Sequence, residues 1–349
     1  MDFTLLKHLT ETPGISGREE RVRALIEEQF TRLGLQSAAD AMGNLIAHKA
    51  GKGPKVALVA HMDEVGFMVS KIEKEGFVRV MPVGGIDPLV FAARQVVVHG
   101  REDLTGVAGS VPPHLRKKDG KEPGGVSPIE EGFVDLGLPP DEVQAKVTVG
   151  DPVTFATRSW DNPTSFFGKA LDDRLGLFVM LTAVEQAGAV DCDLYLIAST
   201  QEEYGLRGVG PALFKTAPRV ALILEGTVAS DTPGLKLPPN VSPTEQGKGP
   251  EIRLSDGRML ADRRLADFLA GLAREKSITH QVVVKNTGAT DAAAGQLVAE
   301  GALAGALSVP TRYIHAPVSM VRKRDIEQTV ALATAFLENV SKFELVPAL

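Results

Sequence analysis

Hydrophobic positions along the chain fall into two textures. Near the N-terminus Val22, Leu25, Ile26, Phe30 and Leu33 recur at helical spacing and Gly34 follows as a stop, which predicts an amphipathic opening helix. Ser16 and Glu19 ahead of it have the spacing of a capping box. The run Pro54-Lys55-Val56-Ala57-Leu58-Val59-Ala60 is apolar over the length of one strand, so it predicts a strand buried on both faces. Between residues 67 and 159 the pattern changes to short β-rich runs such as Phe77-Val78-Arg79-Val80 and Gln95-Val96-Val97-Val98. The turn-formers Gly84-Gly85, Pro112-Pro113, Gly124-Gly125 and Pro139-Pro140 punctuate them. From Asp172 onward helix and strand alternate again. Residues 175–187 read as a helix, Leu194-Tyr195-Leu196-Ile197-Ala198 and residues 220–224 as buried strands, and Ile326, Val330, Ala333, Leu337 and Val340 as one face of a last helix.

The alternation predicts an α/β fold, a central, mostly parallel sheet flanked by helices, into which a small all-β domain is inserted. Residues 1–66 and 160–349 are assigned to the sheet domain and residues 67–159 to the insertion.

Composition narrows the function classes. The chain has 349 residues, 44% hydrophobic and 23% charged, enough for a sizeable core and ordinary for a globular protein. Its formal charge of -6 speaks against a nucleic-acid or anionic-membrane partner, and the short basic run Arg116-Lys117-Lys118 reads as a solvated loop. The first residues lack a signal pattern and no stretch reaches the ~18 apolar residues a membrane span needs, so a cytoplasmic protein is expected. Cys192 is the only cysteine, which removes intrachain disulfides and thiolate zinc sites. A metal in this chain must be held by imidazoles and carboxylates.

Such groups stand where ligands bind in α/β sheets, just past the strand ends. His61 and Asp63 close the first buried run, and the carboxylate is placed to take the imidazole's second N–H and aim its other nitrogen at a cation. Asp172-Asp173-Arg174 opens a helix, where an acidic pair also suits the helix dipole. Gln201-Glu202-Glu203-Tyr204-Gly205 follows the strand ending at Thr200, and Glu225 closes Ala221-Leu222-Ile223-Leu224. His315 lies between Pro310 and Pro317, which stiffen an extended segment. Two imidazoles and several carboxylates suit a pair of divalent ions sharing a carboxylate.

The chain resembles the tetrahedral (TET) aminopeptidases, a dinuclear-metal family that includes glutamyl aminopeptidases and cellulase M type peptidases. The motifs run nearly end to end: Pro13-Gly14-Ile15-Ser16-Gly17, Ala60-His61-Met62-Asp63-Glu64-Val65-Gly66, Val83-Gly84-Gly85, Pro112-Pro113-His114 and Gly168-Lys169-Ala170-Leu171-Asp172-Asp173-Arg174. They continue with Thr200-Gln201-Glu202-Glu203-Tyr204-Gly205-Leu206-Arg207-Gly208, Asp231-Thr232-Pro233-Gly234, Thr290-Asp291-Ala292 and Pro310-Thr311-Arg312-Tyr313-Ile314-His315. The resemblance implies a zinc-peptidase type sheet domain and two divalent ions per subunit, zinc or cobalt with manganese as a further candidate. It implies that Asp172 bridges the ions, with His61 and Glu225 completing one site and Glu203 and His315 the other. It further implies Glu202 as the general base, Asp63 as the residue orienting His61, and assembly through the insertion into a homo-oligomer, a dodecamer in such enzymes.

The expected reaction is removal of N-terminal residues from short peptides, with a water between the ions as nucleophile. Three departures bear on the pocket: Glu225 where many relatives have Asp, Ala289 where a second glycine is frequent, and Ala316 where serine is frequent. A metal-dependent deacylase or carboxypeptidase could use the same ions. A glycosidase would need two carboxylates and no metal, and an inactive scaffold would not need these ligands.

Overall fold

The computed structural model describes residues 1–110 and 128–343. Pro112-Pro113, His114, Gly124-Gly125 and the run Arg116-Lys117-Lys118 lie outside the described residues.

An 11-stranded mixed sheet organises the molecule. Its centre is parallel: Asp193–Ser199, Lys55–His61, Val220–Val228 and Leu303–Arg312 lie side by side. The expected parallel arrangement gives way to antiparallel pairing at the flanks, where Ser37–Ala39 pairs with Leu45–Lys49, Leu303–Arg312 with Ser319–Arg322, and Trp160–Asp161 with Ser165–Gly168. The connections within these pairs are short, and short connections force antiparallel neighbours. Glu251–Ser255 runs antiparallel to Leu303–Arg312 and carries the edge strand Gln281–Val284.

Strand Lys55–His61 accounts for the helices on both faces. Val56, Leu58 and Ala60 face the larger core, whereas Ala57 and Val59 face a second core on the opposite side. With two apolar faces the strand must be covered twice. Leu171–Gln186, buried around most of its circumference, packs on Lys55–His61 and Val220–Val228 and is itself covered by Thr4–Glu11 and Lys323–Asn339. Val209–Thr216 and Asp291–Gly295 cover the other face. Ile326, Val330, Ala333, Leu337 and Val340 of the predicted last helix are all buried. Among the described residues no helix is long and apolar enough to cross a membrane.

The opening helix forms at Glu20–Arg32 and buries Val22, Ile26 and Phe30, but the capping box does not form. Ser16 Oγ instead donates to Asp63 Oδ2 at 2.6 Å, and Glu19 Oε1 accepts from the backbone N–H groups of Gly17 (2.7 Å) and Gln201 (3.1 Å). A buried carboxylate and a buried loop need these partners more than an exposed helix end does.

Between Gly66 and Phe155 six strands close a small barrel in the order Gly66–Ile72, Val78–Val83, Phe133–Asp135, Asp103–Gly109, Gln95–His99 and Pro152–Phe155. Phe67, Val69, Val78, Val80, Val96, Val98, Val134 and Val153 fill its interior. The Pro139-Pro140 pair does not simply turn the chain: Pro140 opens the short helix Pro140–Lys146, where a proline N1 residue lacks only an N–H that would have no helical partner.

Candidate metal centre

The carboxyl ends of the three central strands bring the predicted side chains together. His61 ends Lys55–His61, Glu202 and Glu203 follow Asp193–Ser199, and Glu225 sits near the end of Val220–Val228. Asp172 comes from the start of Leu171–Gln186 and His315 from the segment after Leu303–Arg312. One ligand atom each from His61, Asp172 and Glu203 falls within 4.8 Å of the others. His61 Nε2 is 3.3 Å from Asp172 Oδ1, and His315 Nε2 is 3.5 Å from Asp172 Oδ2 and 3.0 Å from Glu203 Oε1.

Neighbouring backbone groups hold these positions. Asp173 accepts from the backbone N–H groups of His61 (3.1 Å), Gly176 (2.8 Å) and Gly226 (3.1 Å), tying two strand ends to the helix. Asp63 accepts from the backbone N–H groups of Glu202 and Glu203, both at 3.0 Å, so it orients the glutamate pair. Its carboxylate stands 3.4 Å from His61 Nδ1, while the hydrogen bond of that nitrogen goes to the Asp63 carbonyl at 3.1 Å. The expected carboxylate–imidazole contact is therefore made mainly through the main chain. His315 Nδ1 donates to the carbonyl of Gly85, which lies in the connection after the barrel strand Val78–Val83.

The chemistry of this donor set fits divalent ions. Glu203 Oε1 is buried and 3.0 Å from an imidazole nitrogen, yet it has no hydrogen-bond partner. Two donors that face a common space rather than each other are what a shared cation requires. The electrostatics agree. Burial opposes charge on every group here, but hydrogen bonds to His315 and His61 still hold Asp172 below the usual carboxylate range. Against the same burial, Asp172 and Asp63 raise His61 well above the ordinary imidazole value, and Asp172 and Glu203 raise His315 to about 11. The negative field that raises both imidazoles is the field that attracts a cation. Glu202 is pushed well above its ordinary value by burial, with the charges of Glu203, Asp291 and Asp172 adding to the effect.

Glu225 differs from the others. Arg253 Nη2 lies 2.7 Å from Glu225 Oε1, and Ser308 Oγ donates to the same oxygen at 3.1 Å. Burial pushes the Glu225 carboxyl up to about 7 despite Arg253. Sequence reading has no signal for Arg253, because it reaches the site from Glu251–Ser255 across an intervening strand. Gly85 and Asp173 are also absent from the sequence-based roles; their contributions are a carbonyl and a set of backbone contacts that only the fold brings into reach.

A cavity of about 470 Å³ opens in front of the cluster. Its lining includes Asp172, Glu202, Glu203, Glu225 and His315, and with them Arg258, Lys285 and Thr287.

Known proteins are similar to this chain in sequence and fold. The family model for the M42 glutamyl aminopeptidases matches residues 43–332. A lysyl aminopeptidase of Pyrococcus furiosus is 34% identical, covering 99% of this chain and all (100%) of its own. Among solved structures, the aminopeptidase APDkam598 of the archaeon Desulfurococcus kamchatkensis superposes with a TM-score of 0.90 at 36% identity, covering 96% of this chain and 94% of that one. The Pyrococcus horikoshii TET1 peptidase, which can assemble into a tetrahedron or a large octahedral shell, gives 0.85 at 30% identity over 95% of this chain and 98% of its own. With sequence, fold and donor set in agreement, the chain belongs to the M42 family of metallo-aminopeptidases.

Proposed function

We propose that this aminopeptidase removes N-terminal residues from short peptides at a dinuclear centre in which Asp172 bridges, His61 and Glu225 serve one ion, and Glu203 and His315 serve the other. The observation that carries this reading is the convergence of His61, Asp172 and Glu203 within 4.8 Å, with His315 beside them. Zinc and cobalt suit the mixed imidazole and carboxylate set, and manganese is a further candidate.

Bound divalent ions supply a water acidified toward neutrality and a Lewis acid for the scissile carbonyl. Glu202 takes the proton of the attacking water and returns it to the leaving amine, a task suited to a carboxyl that burial pushes well above its ordinary value. Asp63 holds the Glu202 backbone, and with it the base, in place. Arg258 is exposed at the cavity and has no ion pair among the described residues, whereas Lys285 is spent on Glu251 at 2.7 Å. An unpaired guanidinium favours substrates whose first residue carries a carboxylate.

Residues 67–159 would then be an insertion that serves assembly, and residues 1–66 with 160–349 the catalytic domain. The assembly of the Pyrococcus horikoshii relative supports a homo-oligomer, with a dodecamer as the specific expectation.

The test is hydrolysis of free and N-acetylated peptides beginning with Glu, Lys or Leu, by metal-stripped protein with zinc, cobalt or manganese restored. Metal-dependent cleavage of free peptides alone is expected, fastest for Glu. Cleavage confined to acetylated peptides would replace this reading with a deacylase.

A further inference from the structure

The chain leaves strand Asp193–Ser199 through a turn in which three successive backbone N–H groups face two buried carboxylates. Gln201 donates to Glu19 Oε1 at 3.1 Å, and Glu202 and Glu203 donate to Asp63 Oδ1 and Oδ2, each at 3.0 Å. Gln201 itself is left-handed, with φ at 53°, a conformation that a residue with a Cβ keeps only when its surroundings enforce it. Successive N–H groups turned to one side make a concavity for anions, and here the protein supplies them. The loop ahead of the opening helix fixes both carboxylates in turn. Ser16 Oγ donates to Asp63 Oδ2, and the Gly17 N–H donates to Glu19 Oε1 at 2.7 Å. That loop is pinned at its start: the Gly14 N–H donates to Glu64 Oε1 at 3.1 Å, and the buried Arg174 donates to the carbonyls of Leu9 (2.7 Å) and Thr12 (2.8 Å). The Glu202 carboxylate, by contrast, accepts no hydrogen bond among the described residues, and His61 Nε2 stands 3.9 Å from its Oε2. Its aim is set by the backbone that carries it.

We infer that Glu19 is a positioning residue for Glu202: it locks the Gln201 turn and so aims the general base, without touching substrate or ion. This rests on the role proposed above for Glu202. Glu203, the next residue along, has a constraint that Glu202 lacks, since its carboxylate stands 3.0 Å from His315 Nε2. The lock therefore matters most to Glu202. A base displaced by about 1 Å can lose ~10²-fold in rate while the rest of the site is intact. What the Gln201 N–H requires is an acceptor at the right reach, which an amide oxygen supplies as well as a carboxylate.

The experiment measures kcat and KM of the Co²⁺-restored full chain on a free peptide of the panel above, with cobalt content read by elemental analysis. Glu19→Ala is expected to lower kcat by about 10–100-fold, with KM within about twofold and cobalt content unchanged. Glu19→Gln keeps an oxygen for the Gln201 N–H and should recover most of that loss. In a Glu202→Gln background Glu19→Ala should cost nothing further, because two residues that act through one group are not additive, whereas a general folding defect would add. Glu19→Asp withdraws the carboxylate by one carbon and should also lower kcat, which covers the case in which Glu19→Ala does not fold. The inference is overturned if neither Glu19→Ala nor Glu19→Asp lowers kcat, or if the loss follows cobalt content. It is equally overturned if Glu19→Gln is as impaired as Glu19→Ala, or if the loss repeats in the Glu202→Gln background. Should Glu202→Gln alone turn over within a few-fold of the unaltered chain, the base assignment itself fails and the inference goes with it.

Discussion

The His315 side and the Glu225 side of the cluster are built from the same kinds of group yet stand in opposite states. On the first, Glu203 Oε1 is buried with no hydrogen-bond partner and faces an imidazole at 3.0 Å. On the second, one carboxylate oxygen, Glu225 Oε1, is already engaged by a guanidinium at 2.7 Å and a hydroxyl at 3.1 Å. The lesson is that a residue's availability to a ligand depends on what its sheet neighbours demand of it. Position at a strand end makes a carboxylate a candidate; the absence of a competing cation makes it a donor.

Changes that strike chemistry rather than either side should have the largest effect. Glu202→Gln is expected to lower turnover by about 10²–10⁴-fold while metal content, measured by elemental analysis, stays the same. A loss of only a few-fold would remove the base from the scheme.

His315→Ala and Glu225→Gln separate the two sides directly. His315→Ala should weaken the ion on its own side by more than the ~10–100-fold typical of losing an outer partner. Glu225→Gln should affect only the ion on the other side. Equal effects in equilibrium dialysis would erase the distinction drawn here.

The pH dependence sharpens it further. Both imidazole pKa values are raised, so an ion must displace protons, and affinity should fall as pH falls, by about tenfold per pH unit for each proton displaced. Calorimetry in buffers of different ionisation enthalpy counts the protons released. A pH-independent affinity between about pH 6 and about pH 8 would contradict the raised values.

A smaller change should loosen both sides together. A Cβ at Gly176 would meet the Leu224 carbonyl at 2.1 Å and Asp173 Oδ2 at 2.4 Å, where Asp173 ties two strand ends. Gly176→Ala should cost about 1–3 kcal/mol in urea unfolding and weaken both ions. The least effect is expected at Cys192, whose thiol is buried and pushed up to about 12 by that burial. It should resist alkylation in the folded protein, and rapid labelling would mean that the surrounding core opens.

The site was legible in the sequence as far as local pattern carries it. His61 and Glu225 each close an apolar run, and in a parallel-centred sheet such ends meet at one edge whatever the intervening chain does. Glu202 and Glu203 follow the same logic, whereas Asp172 comes from the start of a helix. Ser16 and Glu19 show where the pattern stops: their spacing suits a helix cap, but buried partners from distant segments claim both side chains. Arg253 is the sharper case. Its strand reaches Glu225 only through Leu303–Arg312, an adjacency set by sheet order and invisible to spacing. The mixed flanks of the sheet escaped for a related reason, since apolar runs mark burial and not direction.

The hydrogen bond from His315 to the Gly85 carbonyl has a practical consequence for protein engineering. The barrel's first and last strands, Gly66–Ile72 and Pro152–Phe155, lie side by side, so the excursion looks excisable by joining its ends. Cutting it out would nevertheless remove the only hydrogen-bond acceptor that His315 Nδ1 has among the described residues, and leave that side chain free to swing. Exchanging barrels between relatives would likewise transplant part of the candidate metal centre along with the surface, and chimaeras should be designed with the Gly84-Gly85 loop kept on the side of the sheet.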